Sequence, residues 1–314
     1  MGLAIDVLVI NLFGLFAILS VGFLAVRCNI VPKEFTAPLS SILMNISMPA
    51  TIFTSMIRPF DSGFLIDSLL ICLLGAAGYL LSSALAVPLA RLFRVPRERA
   101  GVWQVGAVYS NCSFMGFPII LSVLGEDGLV LAVMFTIIHN LILFPLGAKQ
   151  TTAGLPPRED VPPATLKSIL FTLVNASVLL GLIFFCLQIP VHEAILLPLS
   201  HLSNLTTPLS MLIIGMNIAK ADFSSVFRDR DAFSATFVRL LLFPMLVWAA
   251  IKLLPASVNP LVAQVLLLTL AMPTTALCGT LAEKYHADAM LGSRITFLTS
   301  LFCILTIPLV CLLP

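Results

Sequence analysis

Two polar clusters interrupt apolar stretches of this chain, and their side chains are of the kind that hold a small polar solute. The first is Tyr109-Ser110-Asn111-Cys112-Ser113-Phe114-Met115-Gly116-Phe117-Pro118; the second is Ala271-Met272-Pro273-Thr274-Thr275-Ala276-Leu277-Cys278-Gly279. Pro118 and Pro273 have no amide hydrogen to give, and with Gly116 and Gly279 they are expected to break the helices that carry them. The freed backbone groups would stand beside Ser110, Asn111, Ser113, Thr274 and Thr275. Hydroxyl residues after Pro273 suit the start of a second half-helix. The amides there carry partial positive charge, which favours an anionic group such as a carboxylate. The plainer reading of each cluster is a kink whose polar side chains satisfy neighbouring helices.

His139 and Asn140 form a polar pair in apolar surroundings. An imidazole exchanges its proton near neutral pH, so His139 is a candidate for proton coupling, although a lone histidine is more often a packing residue. Asn140 is a candidate substrate contact. Asp6, Asp61, Asp67, Glu126, Asp127, Glu283 and Asp288 all fall at or near the ends of apolar stretches. A cation exchanger is expected to place carboxylates inside the membrane, and neither cluster has one. Asp67 is the deepest acid and a second candidate for proton coupling, its plainer role being a solvated boundary residue. Arg239 and Arg294 are expected to snorkel towards a membrane boundary. No nucleophile–base arrangement, metal-ligand spacing, phosphate loop or dinucleotide fingerprint appears, which argues against an enzyme and leaves no cofactor to expect.

The elements that must position these residues are membrane helices. The chain is 59% hydrophobic and 10% charged, with a mean hydropathy of +1.09. That composition leaves too little polar surface for a water-soluble domain. At roughly 20 residues per span, the apolar stretches fall at about 5–27, 38–57, 64–93, 100–124 and 128–148, then 166–187, 194–219, 232–254, 260–282 and 287–313. Ten spans are therefore expected in an all-α polytopic membrane protein. Basic residues gather at Arg27 and Lys33, at 91–99, 149–167 and 220–230, and at Lys284, all in alternate connections. Only Arg58 and Lys252 lie near the other side. The positive-inside rule makes the basic side cytoplasmic and places both termini outside. The first span lacks a basic leader and a clear cleavage site, and reads as a retained helix.

A Pro-rich, charged stretch at 149–163 reads as a cytoplasmic linker between two halves, 1–148 and 164–314. Five spans on each side would give the halves opposite orientations, as in an inverted repeat. Internal echoes support this. Pro38-Leu39-Ser40 and Asn45 before Pro49 match Pro198-Leu199-Ser200 and Asn204 before Pro208. Thr136 before Pro145 matches Thr299 before Pro308. Broken helices in corresponding places of two halves are the best sequence pointer to a transporter's binding site. The seven cysteines are scattered with no CxxC and read as core residues. The Asn-x-Ser/Thr sequons at Asn45, Asn111, Asn175 and Asn204 lie within spans, out of reach of glycosylation.

Asn111 through Gly116 to Pro118 resembles the fourth-helix Asn-x-x-x-x-Gly-x-Pro pattern of the auxin efflux carrier family, the plant PIN carriers and their bacterial relatives. Met272-Pro273 with Ala282-Glu283-Lys284-Tyr285 and Pro308 is similar to that family's ninth and tenth helices. Asn204 to Pro208 with Gly215-Met216 resembles the seventh, and Asn45 with Met48-Pro49-Ala50 the second. The resemblance spans the whole chain. It implies two inverted five-helix repeats, with broken helices 4 and 9 crossing at Asn111, Pro118, Pro273 and Thr274. It also implies a scaffold that usually dimerises and a transport domain that moves against it. Asn140 would border the crossing, and Asn45 joins the candidate substrate-binding residues. Family substrates are organic anions, among them auxin, malonate and other carboxylates. The plant members have a long cytoplasmic loop between halves, and the short linker here favours a compact bacterial-type carrier.

The expected function is thus secondary-active transport of a small carboxylate by elevator-like alternating access, in the efflux direction. The expected setting is the plasma (bacterial inner) membrane, as a homodimer, with no nucleic-acid partner and with sodium or proton coupling left open. A sodium-coupled organic-anion symporter of the bile-acid type, a non-transporting membrane sensor and a channel remain alternatives.

Overall fold

The computed structural model describes residues 2–155, 173–220, 226–255 and 257–313, and no strand occurs among them. The helices are α1 (Gly2–Arg27), α2 (Lys33–Met56), α3 (Ser62–Leu92), α4 (Arg97–Val108), α5 (Gly116–Thr151), α6 (Leu173–Leu187), α7 (Glu193–Lys220), α8 (Arg230–Ile251), α9 (Pro260–Ala271), α10 (Leu277–Lys284) and α11 (Ala289–Cys311). Seven of them, α1, α2, α3, α5, α7, α8 and α11, are long and apolar enough to cross a membrane. The difference from ten expected spans has local causes. α5 runs through two of the expected stretches, changing direction at Gly125, which has φ 73°. α9 stops at Ala271, before Pro273, and α6 is described only from Leu173 onwards. The expected linker is helix as far as Thr151 and lies outside the described residues from 156.

Capping chemistry sets several helix starts. Asp229 Oδ1 accepts from the amides of Asp231 and Ala232 at the start of α8. Asn259 Oδ1 accepts from Leu261 at α9, where Pro260 takes the first helical position. Asp288 Oδ1 accepts from Leu291 at α11. Wide π turns interrupt α2 at Leu43–Ser47, α5 at Leu143–Gly147 and α8 at Val238–Leu242. Each contains or shortly precedes a proline (Pro49, Pro145 and Pro244), whose missing donor loosens the ladder there.

The chain forms two compact units, each drawing on both halves of the sequence. The first comprises residues 1–71, 113–137 and 166–220. Within it α1 lies against α7 with backbones touching: a Cβ at Gly215 would sit 1.9 Å from the Leu19 carbonyl oxygen, so any larger residue would part the helices. Ser47 and Thr51 of α2 meet Thr206 of α7 in a buried hydroxyl cluster, with oxygen–oxygen distances of 2.5 and 2.6 Å. An adjoining cavity of about 460 Å³ is lined by Thr54, Ser55, Arg58, Glu126, Ser203 and Asn204, among others. Arg58 pairs with Asp127 at 2.6 Å and lies over the Phe64 ring.

The second unit comprises residues 72–112, 138–165 and 221–314. One end of it is tied by an ion network at the starts of α4, α8 and α11. Arg99 binds Asp229, Asp231 and Asp288, and Arg294 binds Asp229 at 2.7 Å. Trp103 is buried and donates to Ser234 at 2.8 Å, adding a tie between α4 and α8. This unit holds the first interrupted segment up to Cys112 and the whole of the second.

Candidate functional site

α4 ends at Val108 and Tyr109 turns to extended backbone, with φ −92° and ψ 127°. α9 ends at Ala271 and Met272 does the same, with φ −59° and ψ 153°. The two released segments lie side by side. Ser110 and Thr274 form an antiparallel bridge, the Asn111 amide donates to the Pro273 carbonyl at 2.7 Å, and the Thr275 amide donates to the Tyr109 carbonyl at 2.9 Å. The breaks thus satisfy each other's backbone groups inside the protein, which is the condition for irregular backbone at membrane depth.

Side chains complete the knot. The Thr274 hydroxyl donates to the Gly106 carbonyl at 2.6 Å, and its amide donates to Thr299 Oγ1 on α11 at 3.1 Å. Ser110 Oγ is 2.5 Å from the Tyr79 hydroxyl, which is 2.8 Å from His139 Nδ1. Tyr79 and Tyr109 stack with ring centroids 5.6 Å apart. Thr275 Oγ1 accepts from the Leu277 amide at 3.4 Å, a long bond at the start of α10, whose cap residue Ala276 supplies none.

Most of the residues expected at the site meet in this unit. Ser110, Asn111, Thr274, Thr275 and His139 are buried, and Asn140 is half-buried next to His139 in the chain. Ser113, Gly116 and Pro118 belong to the first unit. There Gly116 and Pro118 occupy the first turn of α5, where a proline's lack of a donor costs nothing. Asn45 and Asp67 also lie in the first unit. Asn45 is exposed and donates to Ser41 at 3.1 Å, whereas Asp67 is half-buried one turn inside α3. Gly279 does not break a helix as expected. It sits inside α10, where the Gly292 backbone of α11 approaches so closely that a Cβ on Gly292 would lie 2.9 Å from the Gly279 Cα.

Arg239 also departs from expectation. It does not snorkel: the residue is 1% exposed and its guanidinium reaches both breaks. Nε donates to the Met272 carbonyl at 2.9 Å, Nη1 to the Val108 carbonyl at 2.6 Å and Nη2 to the Leu270 carbonyl at 2.6 Å. It therefore closes the last turns of α4 and α9 together, where C-terminal carbonyls lack helical partners. The π turn of α8 carries this side chain. The sequence signal was Pro244, five residues on, which loosens the ladder near Arg239. Among the described residues no group of His, Cys, Asp and Glu is arranged to hold a metal ion.

A family model described as membrane transport protein matches residues 7–153 and 158–311. The chain is 26% identical over 301 residues to the uncharacterized transporter MJ1031 of Methanocaldococcus jannaschii, covering 92% of this chain and 93% of the relative. It is also 26% identical over 291 residues to an uncharacterized transporter of Methanothermobacter thermautotrophicus, covering 92% of each. With the match running through both interrupted segments, the chain belongs to the membrane transport protein family, the auxin efflux carrier family that its motifs resemble.

Proposed function

We propose that this protein is a secondary-active carrier of a small organic anion, a carboxylate, which binds beside the paired breaks. The observation that carries this reading is the backbone exchange between Ser110–Asn111 and Pro273–Thr275. It brings Asn111 and Thr275 to one buried place just ahead of the α10 amides, where partial positive charge favours a carboxylate. Sodium binding at the α4 and α9 carbonyls is disfavoured, because the oxygens that would ligate the ion accept from Arg239 instead.

In this reading the ten apolar stretches form two inverted five-helix repeats, and the carrier alternates access by an elevator-like movement, in the efflux direction. It resides in the plasma membrane as a homodimer with both termini outside. The repeat echoes and the distribution of basic residues support that arrangement.

The test is uptake and counterflow of labelled carboxylates in proteoliposomes holding wild type or Asn111→Ala. Wild type is expected to transport at least one acid, and Asn111→Ala to lose most of that activity while eluting and melting like wild type. Unchanged transport by a well-folded Asn111→Ala protein would remove Asn111 from the site.

A further inference from the structure

Arg239 is the only lysine or arginine among the described residues that is fully buried. A buried guanidinium is costly unless its charge is balanced. The fully or nearly buried acids in the same unit, Asp229 and Asp231, are engaged by Arg99 and Arg294. Asp231 precedes Arg239 by eight residues, about 12 Å of helix. Among the described residues no carboxylate pairs with Arg239. Its partners are three carbonyl oxygens at the C-terminal ends of α4 and α9.

Those ends are the negative poles of two helices, each equivalent to about half an elementary charge. One guanidinium on both poles therefore cancels them almost completely. Without it, the paired breaks would present a ring of carbonyls and a negative potential, a setting for a cation. With it, the amides at the start of α10 are left as the dominant partial charge. We infer that Arg239 determines the charge sign of the cargo, making the site one for a monoanion. This rests on the carboxylate reading above and adds its selectivity. A second carboxylate on the cargo would enter a buried place where, among the described residues, no further buried cation meets it, so dianions are disfavoured.

The experiment compares wild type, Arg239→Lys and Arg239→Gln in proteoliposomes, with benzoate, indole-3-acetate and lactate each set beside its neutral amide. Lysine keeps the charge, whereas glutamine keeps hydrogen-bond donors without it. Wild type and Arg239→Lys are expected to prefer acid over amide, and Arg239→Gln to lose about tenfold or more of that preference, the change that 1.4 kcal/mol brings. A role in holding the helices alone would lower the amount of active protein and leave the acid-to-amide ratio unchanged; that result overturns the inference. If wild type transports none of the acids, the carboxylate reading itself falls. Should Arg239→Gln fail to fold, wild type alone decides: malonamate, a monoanion, is expected to compete for uptake better than malonate, the dianion, and the reverse order overturns the inference.

Discussion

Thr274 and Asn111 sit one residue apart along the paired breaks, yet their substitution should have different consequences. The Thr274 hydroxyl is spent on the Gly106 carbonyl, and its amide on Thr299. Thr274→Val would strand a buried carbonyl, at a cost of about 1–3 kcal/mol. Thermal unfolding in detergent should show that loss, while Thr274→Ser keeps the bond and melts near wild type. Transport per folded molecule should fall far less in Thr274→Val than in Asn111→Ala. The sequence showed that Ser110, Asn111, Thr274 and Thr275 were special, because Pro and Gly beside polar residues in apolar sequence have few explanations. It did not show which hydroxyl is structural, since that depends on a carbonyl 168 positions away in the chain. Arg239 was missed for a similar reason. A single arginine in an apolar stretch reads as a snorkelling side chain, and its carbonyl partners lie 31 to 131 positions away.

At the scale of elements, the junction of α10 with α11 and the ion network at the start of α8 hold the second unit's shape. A Cβ on Gly292 would lie 2.9 Å from the Gly279 Cα and 3.0 Å from its amide nitrogen, both of them backbone atoms that cannot swing aside. Gly292→Ala should therefore cost about 1–3 kcal/mol of stability, the range for overpacking. Gly279→Ala meets mainly the Ser293 hydroxyl, which can rotate, and should cost less. Melting temperatures of the two purified variants check the order. The ion network predicts a pH dependence. Burial alone would raise the Asp229 carboxyl, but hydrogen bonds from Arg99 and Arg294 outweigh it and hold the group below its ordinary value. A carboxyl depressed in the folded state stabilises it above the unfolded carboxylate range and stops doing so as pH falls through the folded value. Wild type should thus lose stability on acidification below about pH 4. Asp229→Asn should be less stable at pH 7, on the order of 2 kcal/mol, and lose less on acidification; melting curves from pH 7 to pH 3 distinguish the two. Long apolar stretches and prolines made most helix positions legible. The close glycine contact was not, because a glycine that breaks a helix and one that lets a neighbour approach look alike in sequence.

At the scale of the whole molecule, the strongest unexploited regularity is where the positive charge sits. The basic residues gather at Arg27 and Lys33, at 91–99, at 149–167, at 220–230 and at Lys284, leaving Arg58 and Lys252 for the other side. The structure adds that Arg58 is paired with Asp127, so its charge counts for little in orienting the chain. Arg99 is likewise paired, but Arg91, Arg94 and Arg97 stand with it in the same connection. The bias therefore survives when paired charges are discounted, and it favours the same side at every basic connection. An odd number of spans in each half follows if both termini lie opposite the connection at 149–163, and without that the halves could not be inverted repeats. Reporter fusions decide the matter in a bacterial host. Alkaline phosphatase fused after Pro314 should be active, since it folds only outside the cytoplasm, and a green fluorescent protein inserted at Gly154 should fluoresce. Inactive phosphatase at the C-terminus with a fluorescent insertion at Gly154 would put both on one side, require an even number of spans in the second half, and rule out the inverted repeat.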